Sequence, residues 1–167
     1  REFDMKDLGP ANKILEMQIY RDRNNEKIRL SQKCYLQRVL KRFNMQDCKP
    51  ISTPLPVNFK LSPMMGLSSE VERMKMFRVP YASTVGSLMF AMVCTRPDIA
   101  HAVGAVSRYM TDPGWEHWSM VRRILRYIKE TSDVALCYEG SILISKAMLI
   151  HILQVILTKG NPLLVMC

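Results

Sequence analysis

The sequence predicts an α+β chain: a β-hairpin plus helix, a Pro-rich connection, then a three-helix thumb-like unit. Three observations predict it. Two stretches near the N-terminal end alternate apolar and polar residues around a turn signal. Pro50, Pro54, Pro56 and Pro63 then forbid regular structure. Beyond Val79, three segments carry apolar residues at helical spacing.

Each element has its own signal. Over residues 11–21, Ile14, Glu16, Gln18 and Tyr20 alternate with Leu15, Met17 and Ile19, which predicts a half-buried strand. Asn24-Asn25 signals a turn, and residues 27–30 alternate again, so the two runs form a hairpin. Ser31 is placed to cap a helix through Phe43, with Tyr35, Leu36, Val39, Leu40 and Phe43 on its apolar face. Residues 64–78 are a mixed-charge linker with room for a short helix. Pro80 opens an uncharged helix whose stripe is Tyr81, Val85, Leu88, Met89 and Met92. It is too short and too polar for a membrane span, so a buried helix is expected. Thr95 and Asp98 have capping-box spacing, with Pro97 in the first turn of a helix to about Met110. Asp112-Pro113-Gly114 breaks the chain. A third helix over residues 116–129 is expected to bury Trp118, Val121, Leu125 and Ile128. Residues 134–138 form a short strand. The domain reading is 1–48 for the hairpin and helix, 49–78 for the linker, 79–141 for the three-helix unit, and 142–167 for the tail.

The chain has 167 residues, 48% hydrophobic and 23% charged, which suits a core-forming chain and argues against disorder. Its net charge of +9 suits a polyanionic partner, with nucleic acid before an acidic membrane surface, or else a basic protein with no such partner. The five cysteines, Cys34, Cys48, Cys94, Cys137 and Cys167, contain no CxxC pair and are odd in number. Neither a zinc site nor a disulfide framework follows, and reduced thiols in an intracellular protein are expected. His101, His117 and His151 are scattered and read as structural or incidental. The first residues, REFDMKDLG, are charged and have no signal-peptide core, and they lack an initiator Met.

Two patterns bear on chemistry. Arg122, Arg126 and Lys129 recur at i, i+4 and i+7 on one helix face, with Arg123 beside them. Such a stripe suits phosphate oxygens, which guanidinium groups bind bidentately. It also suits an ordinary solvated face, with Glu116 and Glu130 partly balancing it. Thr95-Arg96-Pro97-Asp98 is expected to be structural, with Thr95 and Asp98 capping a helix and Arg96 at the surface. Met89, Met92, Met110 and Met120 are expected to fill the core. No phosphate loop, nucleophile elbow, HExxH motif or Asp-Asp pair after a strand is present, so no catalytic or metal-binding residue is assigned.

Six strings now matter together: FDMKDLG, LSQKCYLQRVLKRFNM, CKPISTPL, VPYASTVGSLMFAMVCTRPDIAHAVGAVSRYM, PGWEHWSMVRRILRYIKET and LCYEGS. In order and spacing, across residues 3–141, they resemble the reverse transcriptase of plant copia-type (pseudovirus-like) LTR retrotransposon Pol polyproteins. The resemblance implies the C-terminal part of that RNA-directed DNA polymerase. The Tyr-x-Asp-Asp catalytic strand and its Mg2+ lie upstream of the FDMKDLG block in the family, so this chain alone is expected to need no cofactor and to be no enzyme. It implies a region that grips the RNA/DNA primer–template duplex, with Arg122, Arg123, Arg126, Lys129 and Arg108 as contacts. The implied partners are the palm and RNase H domains of the parent polyprotein, with no membrane, in cytoplasm or nucleus. The alternative is a non-enzymatic nucleic-acid-binding remnant adopted by the host. Glu16 stands where the family usually has Gly in a strand, Arg123 where an aromatic is common, and Glu130 where Gly is usual, which looks like drift.

After Ser141 the family enters RNase H with a pattern like G-Y-x-D-x-D-x-A-G-x-x-x-x-R-K-S-T-x-G-Y. This chain instead runs ILISKAMLIHILQVILTKGNPLLVMC, which reads as an apolar helix or short anchor that Lys146, His151 and Gln154 interrupt. Synonymous codons for Lys146 onward, read from the third base of the Lys146 codon, give GYADSHFAGDPDKRKSTTGYV. The shifted codon spanning His151 and Ile152 cannot encode the second Asp. The expectation is a frame break between about Ser141 and Lys146, with an out-of-frame tail in place of RNase H.

Overall fold

The computed structural model describes residues 9–56, 61–62 and 70–139. The tail at 142–167 and most of the FDMKDLG block lie outside the described residues. The α+β reading holds: strands first, then helices, with one late strand returning to the sheet.

Four strands form one antiparallel sheet in sequence order: β1 (Lys13–Ile14), β2 (Met17–Asp22), β3 (Lys27–Ser31) and β4 (Leu136–Glu139). β2 and β3 are the expected hairpin. The Asp22 carboxylate accepts the backbone N–H groups of Asn24 and Asn25, each at 3.2 Å, and the Asn25 side-chain amide at 2.7 Å. That local closure is why Asx-rich sequences mark turns. β4 joins the far edge of β3, pairing Leu30 with Leu136 and Lys27 with Glu139. The register places Met17, Ile19, Ile28, Leu30, Leu136 and Tyr138 on one half-buried apolar face.

The expected single strand over residues 11–21 is corrected. It is itself a hairpin, with Ile14 opposite Met17 and Leu15-Glu16 between them. Leu15 and Glu16 have φ of +46° and +63°. Positive φ at both central residues is what a type I′ turn requires, and Gly is its usual marker. Glu16 stands in that place, so the sequence signal for the turn is missing.

The first helix, α1 (Lys33–Arg42), buries Leu36, Val39 and Leu40. Its cap is corrected as well: Ser31 completes β3, and Gln32 occupies the N-cap without a side-chain hydrogen bond. Ser31 Oγ does accept the Lys33 N–H, at 3.4 Å. The helix ends in a Schellman motif. Asn44 takes φ +54°, Met45 N–H donates to Leu40 O at 2.8 Å, and Asn44 N–H to Lys41 O at 3.2 Å. Met45 and Leu40, joined by this bond, are both buried.

The short helix allowed within the linker is α2 (Glu70–Phe77), and α3 (Tyr81–Cys94) follows Pro80. A 3-10 turn (Pro97–Ile99) leads into α4 (Ala100–Ser107), and α5 (Trp115–Glu130) starts after Gly114. One apolar core joins α1, α3, α4 and α5. The Tyr81 hydroxyl crosses it to donate to Val106 O at 2.7 Å. The α3 stripe is Tyr81, Thr84, Val85, Leu88 and Ala91. Met89 and Met110 are exposed rather than core, while Met92 and Met120 pack against the core from its edge. The small Ala91 and Thr84 take the inner positions, so the longer Met89 turns outward.

Candidate nucleic-acid interface

α5 is amphipathic, with Val121, Ile124, Leu125 and Ile128 buried. Its start is fixed by His117, whose Nδ1 accepts the Gly114 N–H at 2.8 Å. The ring stacks on Tyr109 with centroids 4.1 Å apart. Burial holds the imidazole below its ordinary pKa, against an opposing hydrogen bond with the Ser62 backbone. His117 is therefore a structural histidine that caps the helix.

The structure divides the predicted basic stripe. Arg122 is exposed, whereas Arg123, Arg126 and Lys129 are half-buried. Lys129 Nζ donates to Cys48 O at 2.7 Å, Arg126 Nε to Lys49 O at 2.6 Å, and Arg123 Nη2 to Thr53 Oγ1 at 2.9 Å. As the strap residues ascend from 48 to 53, the helix residues descend from 129 to 123. The Pro-rich strap thus runs antiparallel along α5. The expected single exposed face is corrected, because non-local packing covers its C-terminal half. Arg123 Nε is buried without a hydrogen-bond partner. Arg108 is exposed at the end of α4, away from these strap contacts.

Among the described residues, ion pairs involve Lys13, Lys27, Lys33, Arg38 and Arg96. Among the described residues, none of Arg108, Arg122, Arg123, Arg126 and Lys129 has a carboxylate at ion-pair distance. The α5 cations meet neutral oxygens on the strap or solvent.

The Thr95-Arg96-Pro97-Asp98 motif is structural in a different way from the capping box expected. Arg96 is fully buried, not at the surface. Its Nε and Nη2 donate to Asp98 Oδ1 and Oδ2 at 2.9 and 2.7 Å. Its Nη1 reaches Thr131 O at 3.0 Å, and Nη2 reaches Thr131 Oγ1 at 2.6 Å. The Tyr127 hydroxyl adds a bond to Asp98 Oδ2 at 2.9 Å. Thr95 does not cap the helix that follows; its hydroxyl donates to the buried Gln32 Oε1 at 2.7 Å. Burial raises the Asp98 pKa, but the Arg96 hydrogen bonds and charge, with the Tyr127 hydroxyl, outweigh it and hold the carboxyl below its ordinary value. The sequence missed Thr131 and Tyr127 as partners, although both stand in the block ILRYIKET one helical turn apart.

Among the described residues, no group of three or more His, Cys, Asp or Glu is placed to hold a metal ion. No single described helix is long and apolar enough to cross a membrane.

Residues 1–57 match the family model of reverse transcriptase (RNA-dependent DNA polymerase). Over 141 residues the chain is 57% identical to the retrovirus-related Pol polyprotein from transposon TNT 1-94 of Nicotiana tabacum. The chain is thus similar over most of its length to a retrotransposon Pol polyprotein. That match covers 84% of this chain and 11% of the tobacco protein. An uncharacterised mitochondrial protein of Arabidopsis thaliana is 38% identical over 131 residues, 77% of this chain and 50% of that protein. A transposon Ty5-1 protein of Saccharomyces cerevisiae is 34% identical over 138 residues, 83% of this chain and 42% of that protein. The chain therefore spans no more than half the length of these three relatives. No solved structure matches it.

Proposed function

We propose that this chain is the post-catalytic, primer–template-gripping part of a copia-type reverse transcriptase, and that by itself it polymerises nothing. The observation that carries the reading is similarity to a retrotransposon Pol polyprotein along 84% of the chain. The division into a hairpin and helix (1–48), a linker (49–78) and a thumb-like unit (79–141) belongs to the same proposal. α5 then faces the duplex through phosphate contacts, with Arg122 the freest of its cations and Arg126 and Lys129 beside it. Guanidinium and ammonium groups that meet no carboxylate keep their full attraction for phosphate.

A 20-base-pair RNA–DNA duplex tests this. Affinity is expected to fall steeply between 50 and 200 mM salt. Each lost phosphate contact should lower the slope of log K against log salt by about 0.9. Arg122→Ala and Arg126→Ala should each flatten it by about that amount. Binding that is absent, or indifferent to salt, would sink the reading. The second reading is a shorter nucleic-acid-binding protein adopted by the host. What supports a shorter protein is that the matched stretch covers 50% and 42% of two of its relatives.

The proposal extends to the tail. A frame break between about Ser141 and Lys146 would replace RNase H with unselected residues. What supports this is that synonymous codons for Lys146 onward can spell the RNase H opening in a shifted frame. Genomic sequence through and beyond the Cys167 codon is the test. An RNase H pattern in another frame, with a Tyr-x-Asp-Asp codon run upstream of Arg1, is the expected result. Its absence would make the tail a real protein segment.

A further inference from the structure

We propose that the strap over residues 48–53 is an internal competitor for the basic face of α5, displaced when a sugar-phosphate backbone takes its place. This rests on the reading that the chain contacts nucleic acid.

Three features on the strap point to it. First, its grip is made by cations: Lys129 on Cys48 O, Arg126 on Lys49 O and Arg123 on Thr53 Oγ1. Second, every acceptor is a neutral oxygen. The segment holds no Asp or Glu, and it brings one further positive charge, Lys49. Third, Pro50 within the strap and Pro54 and Pro56 just beyond it have no N–H, so extended backbone here cannot exchange full ladders with a neighbouring strand.

The energetic ordering follows. The strap bonds are charge-assisted on the donor side alone, whereas a phosphate oxygen adds a charge–charge attraction and the release of counterions that a neutral oxygen cannot supply. Phosphate oxygens therefore outcompete the strap carbonyls for the same donors. Of the strap's own residues Cys48 alone packs against the core, from its edge, so release of the strap also uncovers Cys48. In the free chain the strap satisfies cations that no carboxylate neutralises. In the bound chain a polyanion does so instead. Linkage makes the effect reciprocal: whatever loosens the strap tightens the duplex, and the duplex loosens the strap.

Two measurements test this on the full chain. The first is peptide-resolved alkylation of Cys48, which is half-buried, with the exposed Cys34 and Cys137 as internal references. Adding the 20-base-pair RNA–DNA duplex at 50 mM salt is expected to raise the Cys48 rate at least three-fold relative to those references. The second is Thr53→Val, which removes the Arg123 acceptor without touching any proposed phosphate contact. It should tighten duplex binding about three- to ten-fold with little change in Tm. Duplex binding with an unchanged or slower Cys48 rate, or with unchanged affinity in Thr53→Val, overturns the strap mechanism and leaves the nucleic-acid reading standing. No duplex binding by either protein overturns both.

Discussion

Glu16 is a residue in a conformation suited to another. Its φ of +63° crowds an L side chain, and glycine carries no such penalty. The carboxylate recovers something by pairing with Arg38 and with Lys13 at 3.2 Å, which holds its pKa below the ordinary value. Exposed pairs of this kind contribute little. Glu16→Gly should therefore raise the Tm, by about 2–4 °C. A fall in Tm would mean that the ion pairs outweigh the backbone. His117 is the second telling residue. Its folded pKa lies below the unfolded value, so the unfolded state takes up the proton first as pH drops. The stability it lends is complete above about pH 6.5 and is lost as pH falls from there toward the folded pKa. Protonation also removes the Nδ1 acceptor from Gly114. A Tm that is level from pH 8 to 7 and declines below 6.5 is expected, and the decline should flatten in His117→Asn. A pH-independent Tm would show that folding leaves the His117 pKa where it stands in the unfolded chain.

Between elements, the buried Arg96 ties the corner joining α3 and α4 to the end of α5. A guanidinium with no exposed surface depends on its acceptors, and among the described residues Asp98 provides the only charged one. Asp98→Ala should cost about 3 kcal/mol, because it strands a buried cation. Arg96→Met with Asp98→Ala should cost less than Asp98→Ala alone, since no charge is then left inside. Urea titrations of the two proteins decide this, and a double variant that is the less stable would reverse the argument. Asp98 also sets an acid limit: its lowered pKa gives stability that is whole above about pH 3.8 and lost as pH falls through the folded value. At this scale the helices were legible because burial imposes a 3.6-residue period, as on α5. The Schellman end of α1 agrees with its Asn44. The Arg96 corner was not legible. A Thr-x-x-Asp spacing is the same string whether Thr caps the helix or bonds Gln32 across 63 positions.

For the whole molecule, local signals again ran ahead of distant ones. The class, the hairpin and the Pro-rich break could be read from neighbours in sequence. The strap on α5 could not, since the oxygens of Cys48 and Lys49 are common to every residue and leave no trace in composition. The basic stripe was correctly placed on one helix, but what covers it depends on residues 70 to 81 positions away. The fourth strand shows the same limit. Residues 134–138 gave a strand, not its partner, and the sheet closes only when β4 reaches the edge of β3. That closure has a cost in time during synthesis. β3 leaves the ribosome as an open edge, and its partner is encoded about a hundred residues later. At 5–20 residues per second the edge stays unpaired for roughly 5–20 s. Through that interval the nascent chain offers strand-pairing groups to any neighbour on the same message. Lys27 and Arg29 on that edge then act as guards, since like charges on two nascent chains oppose pairing until Glu139 arrives to meet Lys27 at 2.9 Å.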